Sequence, residues 1–422
     1  MIKLNETRNS TDFVYDNDMA IVTSNRLVQY SVEKNDFAAM LLLMVLKSDY
    51  SILFQSKDSK EIAPLILPDL DVDYFGDLYE DKPEFLRLAP IPSDTSVNWL
   101  AFTEGQLSYL ELFNGSHQIS NLSDWDYDKF KKLVDEEFFL SLSFSDTVKD
   151  TSGIRQLSPE EYALEEAILT QTLKFATLPI AQSAIAFLII KDMEISRFPH
   201  NLFLDGKGQL IAKSMPVTNV LSTEWLLKSK DHRPLAKDYM KSIWIPTISG
   251  DLTLNLLFSK IEGTLRANNF TIYNEEVLKQ PLNSQVNIVC SHGDRDISEN
   301  HVFYHESNAT YNLNKIIGPG KVLVFFVCHS GSMKMEFFRN NVTSLVKRFI
   351  AEGYESVIAP FWGLDATIPG YWLPEFLSSL DSGDPISFAA FKANQKVYER
   401  YPTPAAWACL HLYGNPNLKI AI

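Results

Sequence analysis

Short, uninterrupted apolar runs alternate with amphipathic segments through most of this chain. "VNWLAFTEGQLSYLELFNGSHQI" reads as two strands about a turn at Glu104-Gly105. "DWDYDKFKKLVDEEF" has helical spacing, and "SPEEYALEEAILTQTLKF" is a stronger helix. There Ser158 is placed to cap, Pro159 occupies the first turn and Glu161 closes a capping box. Then come "AIAFLII" (strand), "SIWIPTI" (strand), "LTLNLLFSKIEGTLRANN" (helix), "FTIY" (strand), "QVNIVC" (strand) and "KVLVFFV" (strand). "MEFFRNNVTSLVKRFIAEG" predicts a helix stopped by Gly353, "SVIAPF" a strand, and two further helices precede a closing strand in "AAWACLHLYG". Wholly apolar strands alternating with amphipathic helices predict an α/β fold: a mostly parallel sheet with helices on both faces.

The first part of the chain is different. Lys60 to Ser96 is irregular and rich in Pro and Asp, so a module boundary is expected near its end. The expected division is residues 1–96 as an N-terminal extension or module of unknown role, and 97–422 as the α/β domain. Within the extension, "FAAMLLLMVL" (Phe37 to Leu46) is too short to cross a bilayer. It follows Asp36, a good cap, and predicts a core helix. The extension is expected to complete the structure rather than to act as a sensor. No repeat is visible by eye.

Composition narrows the function. The 422 residues are 45% hydrophobic and 22% charged, enough to bury a sizeable core. With 38 basic and 53 acidic residues the net charge is −15, which argues against general nucleic-acid binding. Three cysteines without regular spacing give no disulfide framework. The polar start "MIKLNETRNSTD" is no signal peptide, so no membrane partner and a cytoplasmic location are expected.

In parallel sheets, chemistry gathers in the loops beyond the carboxyl ends of the strands. Two such ends carry reactive groups. "QVNIVC" runs into His292, and "KVLVFFV" runs into Cys328, 36 residues later. If these strands are neighbours, His292 and Cys328 lie side by side. A free thiol is mostly protonated at neutral pH, and an adjacent imidazole takes that proton or holds it as an ion pair. A helix starting soon after Cys328 would favour the thiolate further. Gly293 and Gly331 keep side chains away, and the amides of Gly293 and Cys328 are placed to meet an oxyanion.

At these residues the chain resembles the CHAT peptidases, caspase-like cysteine peptidases related to caspases, metacaspases and separase. "VNIVCSHGD" and "VLVFFVCHSGS" resemble the family's two catalytic segments. "WLAFTEGQLSYLELFNGSHQISNLS" looks like its opening strand pair, and "MEISRFPHNLFLDGKGQLIAKSMPVTNV" like the segment around its Pro and Leu. "SVIAPFWGLDATIPGYWLPEFLSSL" resembles its strand, Trp, Asp and helix, and "DPISFAAFKANQKVYERYPTPAAWACLHLYGNP" its closing helix and strand. The likeness runs from about Val97 to Pro416. It implies a caspase-like fold, Cys328 as nucleophile, His292 as base, and an oxyanion hole from the backbone of Gly293 and Cys328. Trp362 and Asp365 match the family's W-x-x-D near the substrate cleft, and Asp365 would face a basic substrate residue. The segment continues "DATIP" where the family places a second acidic residue. His329 stands where relatives are often acidic or polar, and is expected to pack rather than act as base. The resemblance further implies a protein substrate, an activating or regulatory protein partner, no cofactor, and often a place in prokaryotic antiviral or cell-death systems.

Rival readings exist. Cys290, His292, His301 and His305 have spacings that zinc accepts, but no C-x-x-C accompanies them and "HVFYH" reads as a strand. Asp69, Asp71, Asp73 and Glu80 match positions of a calcium loop, yet Tyr74 stands where Gly is needed. No metal is therefore expected. A caspase-like scaffold without activity is the remaining alternative, and no G-x-S-x-G elbow suggests another hydrolase.

Overall fold

The computed structural model describes residues 31–37, 40–41, 94–103, 105–150, 153–228, 233–246, 250–293, 302–304, 310–336 and 341–421. The candidate calcium loop, His301 and His305, and most of 1–96 lie outside the described residues.

The described residues build an 11-stranded sheet. Its strands are β1 (Thr95–Thr103), β2 (Gln106–Phe113), β3 (Ser116–Leu122), β4 (Ala186–Lys191), β5 (Val217–Asn219), β6 (Lys241–Trp244), β7 (Thr271–Tyr273), β8 (Val286–Cys290), β9 (Val322–Phe326), β10 (Ser356–Pro360) and β11 (Leu410–Gly414). The spatial order is β3-β2-β1-β4-β5-β11-β10-β9-β8-β6-β7. Seven neighbouring pairs are parallel. The antiparallel pairs are the β1-β2-β3 meander and β10 with β11. That last pair divides the sheet: β1, β4, β5 and β11 point one way, and β10, β9, β8, β6 and β7 the other.

The apolar runs form strands because both faces of the sheet are covered. Along β9, Val322, Val324 and Phe326 enter one core while Leu323 and Phe325 enter the other. The first core holds the buried faces of α3 (Leu252–Ala267), α5 (Ile368–Asp381) and α6 (Ile386–Arg400), including Ile261, Trp372 and Val397. The second holds Val346 and Phe349 of α4 (Leu345–Ala351). Among the helices that precede these are α1 (Tyr127–Asp135) and α2 (Pro159–Thr172). The predicted capping box starts α2: the Glu161 amide donates to Ser158 Oγ at 3.4 Å and the Ser158 amide to Glu161 Oε2 at 2.8 Å.

Instead of the long helix predicted over Met335 to Gly353, the chain forms a ribbon, Lys334–Glu336 against Asn341–Thr343, and then the short α4. Asn340-Asn341 favours a turn, Val342-Thr343 favours extended chain, and Ser344 then caps α4 by accepting the Lys347 amide at 3.1 Å. No helix therefore begins directly after Cys328, and its expected dipole is not available to the thiol. At the other end, β1 starts at Thr95, and Phe37, Met40 and Leu41 lie in the same buried cluster as Val97 and Trp99.

Candidate functional site

The site grows from the parallel pairing of β8 with β9, in which Cys290 faces Phe326. Two residues beyond each lie His292 and Cys328. Pairing of β9 with β10 sets Val324 opposite Ile358, and four residues beyond each lie Cys328 and Trp362. Three adjacent strands therefore deliver three loops to one edge.

The loops are pressed together. A Cβ placed on Gly293 would sit 2.1 Å from the Cys328 carbonyl oxygen and 2.8 Å from Val327 Cγ1, so only glycine permits this approach. Gly331 is confined likewise against the Ala359 carbonyl, 2.8 Å from where its Cβ would lie. Between them His329 takes a left-handed conformation, φ 61°, and is buried. Its amide donates to the Trp362 carbonyl at 3.2 Å and its carbonyl accepts the Ser332 hydroxyl at 2.7 Å. These contacts fix the turn that carries Cys328.

Cys328 is half-buried. The Leu364 amide donates to its sulfur at 3.3 Å, and the thiol faces the Leu364 carbonyl at 3.8 Å. Burial pushes the thiol above its ordinary value; the Leu364 amide draws it back, and the Asp365 carboxylate pushes it up. Cys409 abuts the same segment, its sulfur 3.8 Å from the Gly363 carbonyl, and is fully buried. Cys290 is buried too, at the end of β8.

His292 is partly exposed, and its Nε2 lies 2.8 Å from Asp251 Oδ2. Asp251 is 1% exposed and caps α3, its Oδ1 accepting the Leu254 amide at 2.9 Å. Nothing in the sequence marked Asp251 beyond its place before a helical run. Its partner is 41 residues away, and only the fold joins them.

Trp362 is fully buried and donates from Nε1 to the Ala405 carbonyl at 2.8 Å. The indole is thus enclosed in the core, its ring centroid 5.5 Å from that of His411, with no face exposed to a substrate. Asp365 is partly exposed, with Oδ1 accepting the Thr367 amide at 2.8 Å and the Thr367 hydroxyl at 2.5 Å. Asp365 directly follows Leu364, whose amide meets the Cys328 sulfur, and its charge raises the thiol. Among the described residues no group of three or more His, Cys, Asp or Glu is arranged for a metal ion. Among them, too, no helix is long and apolar enough to cross a membrane.

No protein-family model matches the chain, and no curated protein matches it. Two solved structures of the Saccharomyces cerevisiae separase–securin complex, at 2.6 and 3.0 Å resolution, contain a similar chain. For the first, the TM-score is 0.53 at 13% identity, over 91% of this chain. For the second it is 0.50 at 13% identity, over 92%. This chain spans about a third of the matched chain's length, 34% in both cases. The mostly parallel α/β sheet is therefore the fold shared with the separase chain of those complexes.

Proposed function

We propose that this chain is a cysteine endopeptidase of the caspase-like, CHAT type, with Cys328 as nucleophile and His292 as its base. The observation that carries the reading is the β8–β9 register, which sends both residues to one sheet edge with Gly293 against the Cys328 backbone. In this reading the Cys328 proton passes to His292 and the sulfur bonds to the scissile carbonyl carbon. The amides of Gly293 and Cys328 meet the oxyanion. Collapse breaks the C–N bond, and His292 returns the proton to the leaving amine. Water, deprotonated by His292, then releases the acyl group and restores the thiol.

Asp365 follows Leu364, whose amide meets the Cys328 sulfur, and one of its oxygens is held by Thr367, which supports selection of a basic residue at the cleavage point. The resemblance to the CHAT peptidases supports activation by a protein partner or signal. The similar solved chains come from complexes with a second protein, which fits that view.

A labelled acyloxymethyl ketone with arginine next to the warhead tests the reading. Covalent labelling at Cys328, lost in Cys328→Ala and strongly slowed in His292→Ala, is expected. Cleavage of candidate partner proteins that persists in Cys328→Ala would remove Cys328 as nucleophile. No labelling of wild type, with activator candidates present, would favour the inactive scaffold.

A further inference from the structure

We propose that Asp251 is the positioning residue of this site, fixing the tautomer and orientation of His292 so that Nδ1 is the nitrogen that takes the Cys328 proton. The inference rests on the peptidase reading of the same site. Its ground is the 2.8 Å contact between Asp251 Oδ2 and His292 Nε2. An ionised carboxylate only accepts hydrogen bonds, so Nε2 carries the hydrogen and the neutral ring keeps its lone pair on Nδ1. The imidazole is only partly exposed, and this bond holds its plane at the loop that meets Cys328.

The carboxylate is itself held. Oδ1 accepts the Leu254 amide at 2.9 Å as the cap of α3, leaving Oδ2 for the ring. Rotating the carboxylate away from His292 would uncap the helix. That helix is anchored by Leu254, Leu257, Ile261 and Leu265, all buried, so the acceptor is fixed to the core and not to a loop. Position matters for charge as well. A helix N-terminus disfavours a nearby cation. Asp251 sits between that end and His292, so the imidazolium formed on proton uptake meets a carboxylate instead of the bare helix end.

The test uses the full-length protein and the pH dependence of Cys328 alkylation by iodoacetamide, read by mass spectrometry of the Cys328 peptide. Asp251→Asn keeps size and a capping oxygen. Asp251→Ser keeps a good cap but has no carboxylate. Both variants should alkylate about tenfold or more slowly at neutral pH, as should His292→Ala, and all should converge with wild type at alkaline pH, where the thiol ionises unaided. Asp251→Glu should recover part of the loss. Long-range nitrogen–proton spectra of wild type should show His292 protonated at Nε2, a reading that needs no variant to fold. Wild-type kinetics in both Asp251→Asn and Asp251→Ser, with His292→Ala slowed, would overturn the role of Asp251 and leave the dyad standing. Wild-type kinetics in His292→Ala would overturn the dyad, and the inference with it. A His292 ring protonated at Nδ1 alone would refute the inference directly.

Discussion

Replacing Gly293 by alanine perturbs the point where the two loops touch. The added Cβ would lie 2.1 Å from the Cys328 carbonyl oxygen, 3.0 Å from its carbonyl carbon and 2.8 Å from Val327 Cγ1. Carbon and oxygen ordinarily approach to about 3.3 Å, so the backbones must part by roughly 1 Å. The oxygen belongs to the main chain and cannot swing aside, and Val327 is fully buried. Overpacking of this kind costs about 1–3 kcal/mol. A displacement of about 1 Å between reacting groups costs on the order of 10²-fold in rate. Gly293→Ala should therefore lower the urea-unfolding free energy by that amount and slow the reaction of Cys328 with the ketone probe by about 10²-fold. Gly363→Ala is the control: its Cβ would meet nothing nearer than the Leu142 carbonyl oxygen at 4.0 Å, so stability and labelling should stay near wild type. If Gly293→Ala matched wild type in both measurements, the close approach of the loops, and the oxyanion geometry built on it, would be wrong.

Three further outcomes are expected. His200 and His411 are fully buried with ring centroids 4.5 Å apart, and burial holds both well below the ordinary imidazole value. The unfolded chain then binds protons first as pH falls, so the contribution of this pair is constant above about pH 6.5 and drops below it by ~1.4 kcal/mol per pH unit for each group; urea titrations between about pH 6.5 and pH 5 should show this slope, and His411→Asn should reduce it. Ser158→Ala removes the cap of α2 and should cost about 1 kcal/mol in the same assay without changing Cys328 labelling. Trp362→Ala leaves a cavity in the core beside His411 and should cost about 3–5 kcal/mol, while Trp362→Phe, which loses the bond to the Ala405 carbonyl but keeps most of the volume, should cost less; thermal melts would rank them.

Much of this fold was legible because the relevant signals are local or periodic. Continuous apolar runs such as "VLVFF" mark strands covered on both sides, and β8, β9 and β10 lie side by side with parallel pairing as their ends required. The capping box of α2 is contained within four residues and survives intact. The segment after Cys328 misled because apolar spacing through "MEFF…SLVKRFI" imitates a helix, whereas Asn-Asn, Val-Thr and the Ser344 cap break it into a ribbon and one short helix. Trp362 is paired with Asp365 by the W-x-x-D pattern alone, and nothing local in the sequence tells that its indole enters the core together with Phe361. Asp251 was illegible as part of the site: capping explains it locally, and its second partner is supplied by tertiary structure.

The antiparallel junction of β10 with β11 explains why the candidate site sits at one edge and in one half of the sheet. The strands β6, β8, β9 and β10 share a direction, so their carboxyl ends open together. Beyond those ends lie, in turn, Asp251 at the start of α3, His292, Cys328 and Leu364. Each of the four is fixed by backbone or by a buried group: a helix cap, a close glycine contact, a turn held by the Trp362 carbonyl, and an amide on the sulfur. The strand β11, running the other way, brings only its beginning to this edge, which is why Cys409 arrives buried under the same segment that covers Cys328. A slip of one residue between β8 and β9 would turn every apolar side chain of one strand to the wrong core, so the hydrophobic pattern that sets the register also sets the separation of imidazole and thiol.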